Sequence, residues 1–330
     1  MWKKEEVEQL VEVIKLRRSV RVYKKEPLSE RTQERILQKA ESIASPLMTA
    51  PVGFQIVTRK QIRGFVPAKA PHYIALYARN RENDIINAAF IMEQLDLWLI
   101  AHGIGTCWLG LPNPKPQVAK YKNMPFVILL AFGRPNEMPL RKSLSEFKRK
   151  TLPQITNITG EDELLLPLQL APSASNRQPW YVTKTGSEIN LYLTPESPFA
   201  RKMLGSMPYV DMGIALCHLW LSAMDQVRFA SFEKHKGSQD KMASGVEYIW
   251  SMKIAPKAEK EPQAEGDEGE VRTPAIGVDG FDEPSGTSAE PAVNDNDSDG
   301  GADSENELAA DKDEKPAESG NESEEAGEKT

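Results

Sequence analysis

IINAAFIMEQLDLWLIAHGIGTCWLGL, residues Ile85 to Leu111, is the longest apolar stretch of this 330-residue chain. Asn87, Glu93, Gln94, Asp96 and His102 interrupt it, too many polar groups for a span that faces lipid. As far as His102 its apolar residues fall on nearly every side of a helix, which predicts a central helix packed by both halves of the molecule. The glycines that follow read as a helix C-cap at Gly103 and Gly105. Gly110, between Leu109 and Leu111, reads instead as a point where backbone lies against a ligand.

Upstream, Val7, Leu10, Val11 and Ile14 sit at helical spacing and predict an opening amphipathic helix of about three turns. Pro27 and Ser29 mark a turn and an N-cap for a second helix whose apolar face runs Ile36, Leu37, Ala40, Ile43 and Ala44. Phe54–Thr58 and Tyr73–Ala78 are expected strands. Phe126–Phe132, an unbroken apolar run between Pro125 and Gly133, is expected as a strand buried on both faces. Downstream this order echoes weakly: Pro172–Thr183 corresponds to Ala50–Thr58, Val210–Met224 to Asn87–Ile100, and Val246–Ile254 to Phe126–Phe132. An internal duplication of one small α+β unit is therefore expected, with boundaries at 1–150, 151–254 and 255–330.

The net charge of −7 hides two regions of opposite sign. Ala255 to Thr330 carries 24 acidic and 6 basic residues, whereas the preceding body carries 35 basic and 24 acidic. The tail is expected to be a disordered acidic extension, serving either as solvation or as an interaction arm. The basic body favours anions such as phosphates and nucleotides. Cys107 and Cys217 form no CxxC pair, so neither a metal site nor a disulfide framework is indicated, and a reducing, cytoplasmic setting without membrane or nucleic-acid partners is expected. His72, His102, His218 and His235 are scattered and read as structural, leaving no catalytic side-chain constellation.

Four segments carry chemistry. RRSVRVY, residues 17–23, offers Arg17, Arg18, Ser19 and Arg21 to a phosphate through charge-assisted bonds. The same residues also fit a solvated basic cluster at a helix C-terminus. In APSASNRQPWYV, residues 171–182, small side chains let backbone approach a flat ligand. There Ser173, Ser175, Asn176 and Gln178 can read the edge of a heteroaromatic ring, or the segment is a polar loop anchored by Trp180. GIGTCWLGL is the third, and Arg141 with Lys142 in PLRKSLSEF is the fourth, equally readable as an exposed basic turn.

Taken together, RRSVRVY near the start, an APSxxNxQPW loop, GIGTCWLG after a long apolar helix, PFVILLAFGRP and RKSLSEF resemble the flavin-dependent nitroreductase family over roughly Val7 to Ile254, although in the ordinary family the PSxxNxQPW loop precedes GxGTCW. The resemblance implies an α+β, nitroreductase-like fold of two related halves, each with a mainly antiparallel sheet flanked by helices. It also implies FMN as cofactor, NADH or NADPH as electron donor and a small nitroaromatic- or quinone-like acceptor, with the chemistry carried by flavin N5 and no catalytic side chain or metal. Arg17, Arg18, Ser19 and Arg21 would hold the phosphate, helped by Arg141 or Lys142. Pro172, Ser173, Ala174, Ser175, Asn176 and Gln178 would line the ribityl chain and ring. Leu109, Gly110 and Leu111 would approach the isoalloxazine by backbone, although many relatives have a second glycine where Leu111 stands. At the motif positions of the family's Asn, Gln and Trp, SPLMTAPVGFQIV in the first half carries other residues, whereas the second half has all three. The chain thus resembles an internally duplicated branch, a monomer that imitates the family dimer and keeps one competent site. Two other readings fit the same motifs: a flavin-binding protein without turnover, and an interaction module with a degenerate pocket.

Overall fold

The apolar run at the centre of the sequence is a 20-residue helix, α3 (Glu82–Ala101), in which seventeen side chains are buried. The computed structural model describes residues 2–195, 197–235 and 246–255, without the side chains of 198, 200 and 201. The acidic tail beyond residue 255 lies outside the described residues. Ahead of α3 come α1 (Lys4–Leu16) and α2 (Glu30–Ser42). The shorter helices α4 (Leu152–Ile155), α5 (Asp162–Leu170) and α6 (Pro198–Leu204) follow it, and then the long α7 (Met207–Asp225). In α1 the expected apolar stripe of Val7, Leu10, Val11 and Ile14 is buried. Ser29 caps α2, its Oγ accepting from the Thr32 N–H at 3.2 Å. That helix stops at Ser42, so Ile43 and Ala44 fall beyond its end rather than on its face.

Two antiparallel sheets flank the central helices. The first-half strands are β1 (Val52–Val57), β2 (Ile62–Arg63), β3 (His72–Ala78), β4 (Gly105–Leu109), β5 (Asn113–Pro114), β6 (Lys120–Tyr121) and β7 (Met124–Gly133). The second half supplies β8 (Trp180–Thr185), β9 (Glu188–Leu193), β10 (Ala230–Glu233) and β11 (Glu247–Ile254). The first sheet runs β1-β3-β7-β4, with β6 paired to β7, and the second runs β8-β9-β11-β10. The path is the same in both: an edge strand, its hairpin partner, the last strand of the half, and at the far edge the strand that follows the long helix. In the first half that helix is α3, in the second α7.

The larger hydrophobic core runs from Val7 to Ile254 through both halves, and a smaller one, on the other face of the first sheet, holds Tyr73, Tyr77, Cys107 and Leu109. The centre of the larger core is the contact between α3 and α7, where Gly213 lets the backbones meet: a Cβ there would lie 2.3 Å from the Ile86 carbonyl oxygen. The turn out of α3 is closed at Gly103, whose φ of +74° suits glycine, with Gly103 N–H bonded to Ile100 O at 3.0 Å and Ile104 N–H to Leu99 O at 2.9 Å. Gly105, expected in that cap, instead begins β4.

Candidate functional site: a cavity built from both halves

The basic segment after α1 is laid against β4. Val20 N–H bonds to Thr106 O at 2.8 Å. The fit depends on Gly105, where a Cβ would come 2.7 Å from Val20 Cγ2. Arg17 turns inward, its Nη2 3.0 Å from Asp96 Oδ2 with both side chains buried. Burial works against the Arg17 charge, but Asp96 and Glu93 outweigh it and hold the guanidinium charged. Arg18 is exposed and pairs with Glu146. Ser19 and Arg21, flanking Val20, line a cavity of about 360 Å³, within the size range of small-molecule sites.

The opposite wall comes from a stretch some 150 residues later in the chain. Pro172, Ser173, Ala174 and Ser175 line the same cavity, as do Cys107, Leu109, Gly110 and Leu111 at the end of β4. Asp211, Met207 and Ile214 of α7 complete it. Asp211 holds the loop in place by accepting from the Ala174 N–H at 2.9 Å. Burial pushes the Cys107 thiol up, against the opposing charges of Arg21 and Arg17, so it lines the cavity as a neutral group. A Cβ on Gly110 would lie 2.9 Å from Met207 Sδ, so glycine permits the close approach of these two walls.

Within the loop, Ser175, Asn176 and Gln178 have φ of 53°, 55° and 49°. Left-handed backbone at three non-glycine positions costs about 1–3 kcal/mol each and persists only where neighbours impose it. At Asn176 and Gln178 the segment 148–150 supplies those neighbours. Asn176 Oδ1 accepts from Arg149 and its Nδ2 donates to Lys148 O at 2.6 Å. Gln178 Oε1 accepts from the Lys150 N–H at 2.7 Å, and Lys150 Nζ donates to Gln178 O at 3.0 Å. Asn176 and Gln178 are therefore engaged with this strap and are not among the residues lining the cavity.

Arg141 lies near Arg17 and Arg18, its backbone N–H bonded to Leu16 O at 2.8 Å and its guanidinium stacked 3.8 Å from the centre of the Phe147 ring. Its Nε and Nη1 are buried without a hydrogen-bond partner. Burial, together with the charges of Arg17 and Arg18, pushes it down to about 10. Arg149 is pushed down to about 10 by burial and by Arg17 and Arg141. These guanidiniums form a basic cluster in which Arg141 has N–H donors to spare. Lys142 is exposed, its backbone N–H donating to Glu146 Oε1 at 2.8 Å. Sequence reading missed Asp211 and the strap at 148–150. Their only signals were a lone acid within the apolar Val210–Met224 run and three consecutive cations, neither of which specifies a partner.

The family profile described as "Putative TM nitroreductase" matches residues 9–223. No curated protein matches the chain. Among solved structures, a nitroreductase-type protein of Thermotoga maritima is 25% identical with a TM-score of 0.52, covering 75% of this chain and 94% of its own. An FMN-dependent nitroreductase of Clostridium difficile R20291 is 20% identical with a TM-score of 0.33, over 42% of this chain and 94% of its own. A third structure, from Parabacteroides distasonis and described as an NADH dehydrogenase/NAD(P)H nitroreductase, is 18% identical with a TM-score of 0.33, over 43% and 98%. With the profile spanning well over half of its length, this chain belongs to the nitroreductase family represented by the Thermotoga maritima protein.

Proposed function

We propose that the protein is an FMN-dependent oxidoreductase that passes electrons from NADH or NADPH to a small oxidised acceptor, nitroaromatic- or quinone-like. The observation that carries this reading is the cavity itself, where Ser19 and Arg21 meet Leu109–Leu111 and Pro172–Ser175 although the chain separates them by up to some 150 residues. The residues fit the cofactor. Arg141 keeps unpartnered buried N–H groups in a basic cluster where Asp96 and Glu146 are taken up by Arg17 and Arg18, which suits a phosphate dianion. The small residues of the 172–175 loop suit a flat ring.

Bound FMN supplies two-electron transfer at N5. The protein's own part is to bind, orient and exclude water. Ser19 and Arg21 hold the anionic end from the cavity wall, and Arg141, Arg18 and Lys142, which do not line the cavity, add positive charge behind them. Arg17, committed to Asp96, shapes the segment that presents Ser19. Asn176 and Gln178 act through the strap, fixing the loop that carries Ser173 and Ser175. Gly110 leaves room for backbone beside the ring. Leu111, 69% exposed, and Met203, 73% exposed, form an apolar lip over which donor and acceptor dock in turn. The shared strand order of the two sheets supports reading the halves as an internal pair that does the work of a dimer in one chain.

Anaerobic titration of the purified protein with NADH and with NADPH tests this, followed at the flavin absorption band. A yellow protein bleached by either nicotinamide and reoxidised by a quinone is expected. A flavin that stays oxidised means binding without turnover, and a colourless protein that takes up no FMN overturns the cofactor assignment. Ser19→Ala and Arg21→Ala are each expected to weaken FMN retention about tenfold, the worth of one charge-assisted contact, with the thermal midpoint unchanged.

A further inference from the structure

Glu93 on α3 and His218 on α7 each stand eleven residues after the first residue of their helix. They meet in the core with no exposure to solvent, His218 Nε2 lying 2.7 Å from Glu93 Oε1. The other imidazole nitrogen, Nδ1, is 2.8 Å from the Pro167 carbonyl of α5. A carbonyl can only accept, so Nδ1 carries a hydrogen, and one further proton is shared between His218 Nε2 and Glu93 Oε1. The second carboxylate oxygen, Glu93 Oε2, accepts from the Trp108 indole N–H at 3.0 Å. Burial of a carboxylate is tolerated where both oxygens are matched in this way.

Trp108 belongs to β4, where alternation sends Cys107 and Leu109 to one face and Trp108 to the other, toward α3. It is half-buried and lines the cavity beside Leu109 and Gly110. An indole in a cavity wall can pivot unless its polar edge is held, and Glu93 holds it. We propose that Glu93, itself fixed by His218, is the positioning residue that sets the Trp108 indole as a wall of the flavin cavity. This rests on the flavin reading of that cavity.

Glu93→Gln separates this role from mere core filling. With neutral His218 still donating from Nδ1 to Pro167, the Gln amide donates to Nε2 and its oxygen still accepts from Trp108, so every bond is kept. The double variant Glu93→Leu with His218→Leu removes the anchor while leaving no unpaired buried charge. The first readout needs no flavin: the Trp108 indole N–H resonance, assigned by its loss in Trp108→Phe and measured in flavin-free 15N-labelled protein. It is expected downfield in the parent and in Glu93→Gln, and shifted upfield in the double variant. The second is FMN affinity, expected near the parent value in Glu93→Gln and about tenfold weaker in the folded double variant. An indole resonance that does not move in the double variant overturns the proposal, as does equal loss of affinity in Glu93→Gln. A parent that takes up no FMN while the resonance behaves as expected overturns the cofactor reading and leaves the indole anchor standing.

Discussion

Gly213 decides how closely the two long helices approach. A methyl group there would meet the Ile86 carbonyl at 2.3 Å, the Ala89 Cβ at 2.8 Å and the Phe90 nitrogen at 3.0 Å, and two of those three are backbone atoms that cannot rotate away. Gly213→Ala must therefore push α3 and α7 apart. Overpacking of this kind costs about 1–3 kcal/mol or more, which in a body of this size lowers the thermal midpoint by at least about 2 °C. Calorimetry checks this, and an unchanged midpoint would show that the helices slide freely. Because Glu93, His218 and Asp211 lie on these two helices, the same variant is also expected to bind FMN less tightly.

Among the elements, those with a strong period were legible in the sequence. The stripe of α1, the all-round apolarity of α3 and the continuous run of β7 each impose one geometry. β9, whose core is INLYL, escaped reading because it is short and only partly alternating, and β10 has just four residues. Their strand identity comes from pairing with β11 rather than from their own pattern. The site shows the same division. Ser19, Arg21, Gly110 and Ser173 were readable as motif residues, but the engagement of Asn176 and Gln178 with residues 148–150 was not, because it depends on two segments meeting across the fold. Glu161 stands at the N-cap of α5. Hydrogen bonds from Arg228, at 2.7 Å, and from Lys184, at 2.6 Å, hold its carboxyl below the usual range and so tie α5 to the end of α7 and to β8. A depressed folded value gives stability that is present above the unfolded pKa and is lost as pH falls through the lowered one. Glu161→Gln should therefore lower the thermal midpoint at pH 7, with the difference from the parent shrinking toward pH 3. A difference independent of pH would show that the ion pairs contribute nothing.

For the whole molecule, the cavity takes one wall from the segment after α1 and the end of β4, and the other from the loop after α5 and from α7. The polar 172–178 loop has no counterpart in Leu47–Phe54, where Met48 and Val52 stand in place of hydrogen-bonding side chains. One flavin per chain is the expected stoichiometry, measured as flavin released on denaturation against protein concentration, with light scattering for mass. Two per chain, or flavin held only by a dimer, would contradict a site completed within a single polypeptide.

The pairing of α3 with α7 also sets a timetable for biosynthesis. The last residue of α7 is added 124 residues after the last of α3, which at about 5–20 residues per second is roughly 6 to 25 s on the ribosome. Throughout that interval the first half has a helix that is greasy on every side and whose main partner has not yet been made. The nascent chain is thus exposed to chaperones and proteases for a defined window, and slowing translation between the two helices would be expected to cost soluble yield without altering any residue of the finished protein.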